Sequence, residues 1–401
     1  MLIKKSKTKE PEKGGDMNHL SKRASRMKPS GTMKVANQAK ALKNSGIKVY
    51  DLGAGDPDFA PPQSVIEATG WAAKNGKTHY PHGRGEKTLR QAIASKYQRE
   101  YGLVYDPEAQ ILVTPGGKKA VSLALAALLN PGDEVIVVKP YWTSYSDLVE
   151  LWEGVPVFFD PENGFDQLAR LLEENKKIKA IILNSPANPS GSVLSEQDIA
   201  VLAEIMGKKD IWVISDEIYE KIIFPPAVFH CLANHLKKEK TIIINGVSKT
   251  YAMTGYRLGY ALGPSEVIKA MANILGNDVG PSCSISQEAA RAALTDPEAE
   301  AAVQKMVAKY HQRYREIVLP FAKQLSLQYY EAQGAFYFFF RLPKKFGTDC
   351  ESFCSQLLGK KQVALVPGSA FGKPGWVRIC FAVADEDLAE GLKRLGDFLK
   401  E

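Results

Sequence analysis

Lys249 stands just past a strongly apolar run, in Thr241-Ile-Ile-Ile-Asn-Gly-Val-Ser-Lys249, with Ser248 beside it and Arg257 eight residues further on. A lysine held at the end of a buried strand is desolvated, its pKa falls, and its amine can form a Schiff base. Arg257 brings a planar fork that suits phosphate oxygens. Asp216 follows a second apolar run, in Ile211-Trp-Val-Ile-Ser-Asp-Glu-Ile-Tyr219. An interior carboxylate needs a partner because an unpaired one is costly. A cationic ring nitrogen would serve, with Tyr219 in reach of the same ligand; a helix N-cap or a structural ion pair would serve as well. In Val113-Thr-Pro-Gly-Gly-Lys118, two glycines separate a strand from a helix at Lys119–Leu129. That arrangement lets a backbone approach an anion at a helix N-terminus. Two lysines in the first turn oppose the helix dipole, and a bound dianion would offset them. An ordinary strand-to-helix turn with solvated lysines is the competing reading. Arg378 sits within Trp376-Val-Arg-Ile-Cys-Phe381, where a carboxylate ligand would explain a guanidinium among large apolar residues. The alternative there is an edge strand with Arg378 facing water.

These residues need elements to hold them. Apolar runs of strand length occur at Ile111–Val113, Glu134–Val138, Val155–Phe159, Ala180–Leu183, Ile211–Ile214, Thr241–Ile244 and Leu258–Leu262, alternating with helical stretches. Strands this apolar are expected to be buried on both faces, in a mostly parallel or mixed seven-stranded sheet covered by helices. Ligands then gather at the carboxyl ends of the strands, where the four groups above stand. Before the sheet, a helix is expected over Met33–Asn44, closed by Gly46, then a strand at Val49–Leu52, the loop Gly53–Phe59, and helices at Ser64–Lys74 and Thr88–Tyr101. After it, a long helical region runs from Ile285 to Leu325 with a break at Asp296-Pro297. A smaller α+β region follows, with strands at Ala335–Phe340 and Trp376–Phe381 and helices at Cys350–Lys360 and Asp385–Lys400.

The 401 residues suffice for two or three domains, and 45% hydrophobic with 24% charged residues is an ordinary globular balance. Part of the net charge of +7 sits in the lysine-rich stretch Met1–Lys13, so a nucleic-acid partner has little support. No stretch approaches the length needed to cross a bilayer, and no secretory signal is legible. The five cysteines are scattered and odd in number, which suggests reduced, buried thiols in a cytoplasmic protein. Cys350 and Cys354 lack companions for a zinc site, so packing is the expected role and no metal is expected.

In chain order these motifs resemble the aspartate aminotransferase family of pyridoxal-phosphate (PLP) enzymes, fold type I, class I/II. Asn188-Pro-Ser-Gly191 is similar to the family's Asn-Pro-Thr/Ser-Gly, Ser215–Tyr219 to its Asp-x-x-Tyr segment, and Ser248-Lys249 with Arg257 to its Schiff-base signature. The resemblance covers the chain from about Leu20 to the C-terminus. It implies an α/β large PLP-binding domain at 61–290 and a smaller α+β domain at 291–401. It also implies an N-terminal segment at 17–60 that packs with the small domain; residues 1–16 are expected to be a disordered basic extension. By the same resemblance Lys249 carries PLP and shuttles the proton, Asp216 keeps the ring nitrogen protonated, and Asn188 and Tyr219 hydrogen-bond the phenolic oxygen. Arg257, Ser248 and the backbone of Gly117 and Lys118 hold the phosphate, Trp142 stacks on the ring, and Gly55 and Arg378 take the substrate α-carboxylate. Tyr80 matches a tyrosine that reaches the neighbouring subunit's phosphate, which implies a homodimer with shared sites. One departure is Gly246, where many relatives carry a serine.

Lys118 in the phosphate turn, and Lys28 and Thr32 in Met27-Lys-Pro-Ser-Gly-Thr32, resemble the bacterial aspartate/prephenate subgroup. They imply an acidic substrate side chain: aspartate and 2-oxoglutarate by a ping-pong mechanism, with prephenate as a second acceptor. Lys28 at the surface and Thr32 as a helix cap are the plainer readings. Transamination of alanine, aromatic residues or kynurenine, β-elimination by a carbon–sulfur lyase, and a non-catalytic PLP-sensing module are the competing functions, since the fold serves them all.

Overall fold

The sheet that organises the molecule is built from segments of Val and Ile with almost no polar interruption, seen here in a computed structural model that describes residues 20–27 and 31–401. In chain order the strands are β1 (Tyr50–Asp51), β2 (Ile111–Thr114), β3 (Glu134–Val138), β4 (Val155–Phe159), β5 (Ile178–Asn184), β6 (Trp212–Asp216), β7 (Thr241–Gly246) and β8 (Gly259–Leu262). Then come β9 (Tyr329–Tyr330), β10 (Tyr337–Arg341), β11 (Val363–Ala364), β12 (Val366–Pro367) and β13 (Trp376–Cys380). The expected extension at 1–16 lies outside the described residues, as does Lys28; Thr32 is described only as backbone in the helix Gly31–Asn44.

Seven strands form one sheet in the order β2-β8-β7-β6-β5-β3-β4. Neighbours from β7 to β4 run parallel, whereas β8 is antiparallel to both β2 and β7. β2 therefore points the same way as β7, and its carboxyl end joins theirs. Alternation along each strand feeds two helical layers. Leu112, Val135, Val137, Ile182, Ile214 and Ile244 pack with the helices Gly117–Leu128, Ser144–Leu151 and Ser265–Asp278. Their neighbours in sequence face the other way: Ile243 and Val113 toward the helices Lys87–Tyr101 and Ser284–Thr295, Ile181 and Val213 toward Phe165–Glu174 and Glu196–Gly207. Burying an Ile or Val of this kind stabilises the fold by about 1.5–3 kcal/mol. The expectation that every strand is buried on both faces fails at β4. This edge strand leaves Val155 and Phe158 more than two-fifths exposed, because it has a paired strand on one side only.

Local signals start and stop the helices. Ser195 and Asp198 cap Glu196–Gly207 reciprocally, Gly102 ends Lys87–Tyr101 at φ +68°, and Asp296 with Pro297 opens Pro297–Arg313. The expected break at Asp296-Pro297 is the boundary between two helices. A π-helical turn at Tyr314–Val318 continues the second toward Leu319–Gln324.

The C-terminal part gathers a second core around β10, β13, the helix Cys350–Lys361 and the helix Asp385–Lys400. β12, β13, β10 and β9 make an antiparallel sheet, and β1 pairs in parallel with β11, which ties the N-terminal stretch to this part. Cys231, Cys350, Cys354 and Cys380 are buried; Cys283 is exposed, contrary to expectation, at the turn that precedes the helix Ser284–Thr295.

Candidate active site

A cavity of about 390 Å³ opens at the carboxyl ends of β2, β5, β6 and β7, roofed by β12, β13 and the loop after β1. It brings together Gly55, Gly117, Lys118, Trp142, Asn188, Asp216, Tyr219, Ser248, Lys249, Arg257 and Arg378. Tyr80 stands apart at the surface, 96% exposed.

Lys249 reaches the cavity from the turn after β7, and its Nζ donates to the Gly55 carbonyl at 2.5 Å. Burial lowers its pKa to about 8, and the nearby Arg378 and Arg257 push the same way against the pull of Asp56 and Cys380. Roughly a tenth of the amine is thus neutral at pH 7, far more than for an ordinary lysine. Asp216 closes β6, and alternation turns it to the cavity side. Its pKa rises to about 6 through burial, held back by the Tyr145 hydroxyl donating to Oδ2 at 2.6 Å and the Ile218 N–H donating to Oδ1 at 3.3 Å. Asp216 is therefore neither a helix cap nor half of an ion pair.

Arg378 is 4% exposed, which rules out the water-facing alternative. Its Nη1 donates to Asn188 Oδ1 at 2.9 Å and its Nη2 to the Gly53 carbonyl at 2.6 Å; among the described residues Nε has no hydrogen-bond partner. With its carbonyl oxygen taken by Arg378, Asn188 keeps its amide hydrogens for another acceptor. The loop between Gly53 and Gly55 thus offers one main-chain carbonyl to each buried cation. The acids around it anchor it: Lys43 to Asp51 at 3.0 Å, Thr254 to Asp56 at 2.6 Å, and Arg313 to Asp58 at 2.7 Å.

The phosphate-type corner rests on close backbone approach. Gly116 has φ +88°, and a Cβ there would lie 2.6 Å from Arg257 Nη2; a Cβ on Gly259 would lie 2.4 Å from the Gly117 nitrogen. Gly246 is equally constrained, because a Cβ would meet the Leu258 carbonyl at 2.8 Å. A serine here would not fit this backbone without a shift. Lys118 extends over Trp142, its Nζ 5.7 Å from the ring centroid, and Trp142 meets Tyr145 edge-on.

Two contributors escaped the reading of the sequence. Tyr145 partners Asp216, and its only sequence signal is a tyrosine three residues past Trp142. Tyr337 bonds the Tyr219 hydroxyl at 2.8 Å, and it was concealed in the aromatic run Phe336–Phe340.

The residues present fit a phosphorylated aldehyde cofactor. An amine of lowered pKa, a buried acid, an orphaned Arg378 Nε and a glycine-lined corner beside Arg257 share one cavity. Sheet order and cavity position define a fold type I transferase. Comparison with known proteins narrows this. Residues 47–395 match the family described as aminotransferase class I and II, and the chain belongs to that family. It is 38% identical to the aspartate/prephenate aminotransferase of Thermus thermophilus, over 96% of this chain and 99% of that protein. It is 36% identical to the aspartate aminotransferase of Bacillus subtilis, over 95% and 99%. The Thermus thermophilus aspartate aminotransferase solved with maleate superposes with a TM-score of 0.89 at 37% identity, covering 94% of this chain and 99% of that one. The chain is an aminotransferase.

Proposed function

We propose that this aminotransferase moves the amino group of aspartate to 2-oxoglutarate by a ping-pong mechanism, with prephenate as a second acceptor and PLP carried on Lys249. One observation carries the reading: a buried amine of lowered pKa shares a cavity with the Arg378 guanidinium at one side and the Lys118 ammonium at another. The two cations suit the two ends of a dicarboxylate. The Thermus and Bacillus relatives support the choice.

PLP, when bound, supplies an aldehyde and a ring that accepts the electron pair left at the substrate Cα. Lys249 would hold it, and the freed Lys249 amine would move the proton at the substrate Cα. Asp216 keeps a proton on the ring nitrogen. Tyr219 and the Asn188 amide donate to the phenolic oxygen. Arg257, Ser248 and the backbone N–H groups of Gly117 and Lys118 hold the phosphate. Trp142 would pack beside the ring, and Arg378 with the Gly55 backbone would orient the α-carboxylate. Tyr80, exposed on the single chain, serves the phosphate of a second copy in a homodimer. Residues 61–290 form the large domain in this reading and 291–401 the small one, with 17–60 as a segment that packs with the small domain.

A steady-state screen of amino donors against 2-oxoglutarate tests the substrate. Aspartate is expected to lead; alanine or an aromatic donor leading by a wide margin would overturn the choice. Pyruvate and ammonia released from cystathionine would indicate the lyase instead. Lys118→Ala should cost about 10–100-fold in kcat/KM on dicarboxylates, the size of a lost charged hydrogen bond, and far less on monocarboxylates. Equal losses on both would remove Lys118 from this role.

A further inference from the structure

Tyr337 is fully buried, yet its polar end faces the cavity. It stands on β10, where it pairs with Cys380 while Phe339 pairs with Arg378. Tyr337 and Arg378 are thus diagonal neighbours on one face of the sheet, close enough for long side chains to touch. The Arg378 guanidinium carbon lies 4.4 Å from the Tyr337 ring centroid, and the two Tyr hydroxyls, 337 and 219, lie 2.8 Å apart. The backbone at Gly55 crosses directly above, since a Cβ there would lie 2.6 Å from the Tyr337 hydroxyl.

We propose that Tyr337 is a positioning residue that links the carboxylate grip of Arg378 to the hydrogen-bonding strength of Tyr219. This rests on the reading above, in which Tyr219 donates its only hydrogen to the cofactor's phenolic oxygen. A hydroxyl has one hydrogen to give, so the bond between the two tyrosines must then run from Tyr337 to Tyr219. Accepting that bond polarises the Tyr219 O–H and makes it a stronger donor. The Tyr337 ring meanwhile supports the face of the guanidinium, whose Nε has no hydrogen bond. One side chain therefore holds both a cofactor contact and a substrate contact in register.

Two variants separate its two ends. Tyr337→Phe keeps the ring and removes the hydroxyl. A weaker Tyr219 donor leaves more negative charge on the phenolic oxygen, which retains the neighbouring proton more tightly. The pH midpoint of the visible absorbance of the PLP-loaded protein should rise by about half a unit to one unit, the size of one neutral hydrogen bond. The dissociation constant for maleate, read from absorbance without turnover, should change little in this variant. Tyr337→Leu removes the ring as well and should weaken maleate binding by about 5–30-fold. An unmoved midpoint in Tyr337→Phe, or unchanged maleate affinity in Tyr337→Leu, would overturn the inference. Failure of the wild-type protein to bind PLP or to show a titrating band would instead overturn the reading on which it rests.

Discussion

Asp216 and Glu217 are adjacent carboxylates, both at most 5% exposed, and the strand sends them to opposite faces. Asp216 faces the cavity, with one phenol and one backbone N–H, and burial takes its pKa to about 6. Glu217 faces a closed region lined by Tyr97, Tyr260 and Cys231. Ser215 donates to its Oε1 at 2.8 Å, the Leu232 N–H donates to the same oxygen at 3.3 Å, and the Cys231 thiol lies beside the carboxyl. Burial, with Glu220 repelling it, takes that pKa to about 8. Nearby, Lys96 pairs with Glu220 at 2.5 Å and with Glu100 at 3.2 Å, all within the protein. At neutral pH Asp216 is mostly charged and Glu217 mostly neutral. Depth of burial and size of the pKa shift therefore do not mark the functional acid. What marks it is open room in front of a carboxylate that can still ionise.

The contrast is most sharply broken by exchanging carboxylates for amides. Asp216→Asn should lower kcat by at least about a hundredfold, the equivalent of a lost charged contact of ~3 kcal/mol, with little change in melting temperature. Glu217→Gln should leave kcat within a few fold. Comparable losses in both, measured by steady-state kinetics, would erase the distinction.

A pH series sharpens it. Glu217 binds its proton more tightly folded than unfolded, where its ordinary value is 4.5. Its contribution to stability is therefore complete below about 4.5 and is lost as pH rises through about 8. Glu217→Gln mimics the neutral acid and should melt progressively higher than wild type as pH rises from 5 to 8 and level off above, by about 1 °C per kcal/mol recovered in a chain of this length. A constant gap across that range would show that Glu217 does not titrate there.

The smallest expected effect concerns Tyr145. Tyr145→Phe removes the phenol that stabilises the Asp216 carboxylate, worth about 1 kcal/mol. The pKa of Asp216 should rise further, and the acidic limb of the kcat–pH profile should move upward by about 0.7 unit. A profile that keeps its position would assign the phenol to packing alone.

Much of this was legible in the sequence because local and global signals agree there. Glu134–Val138, Val155–Phe159 and the helix Asp385–Lys400 have the bounds that the apolar pattern implies. The polar residues ending apolar runs, Asp216 and Lys249, meet in one cavity because parallel strands share a carboxyl edge. The two-residue strands β1, β9, β11 and β12 were largely out of reach, since pairs this short depend on distant partners and have no period. Val49–Leu52 marked β1 without its partner. Tyr145 and Tyr337 were missed for a related reason. Each earns its role through a hydroxyl contact with a residue more than seventy positions away, and an aromatic in an apolar stretch reads as core. The exposure of β4 was hidden because an edge strand and a central strand of Val and Phe look alike until the sheet order is known.

The loop between Gly53 and Gly55 meets both buried cations with peptide oxygens rather than side chains. No codon change can delete a peptide oxygen, so these two contacts are immune to direct loss and vulnerable only to displacement. Inherited variation here should act through bulk: at Gly55 even a methyl group would collide with the Tyr337 hydroxyl. Selection at this stretch would then act on contour, while the chemistry it presents stays written in the main chain.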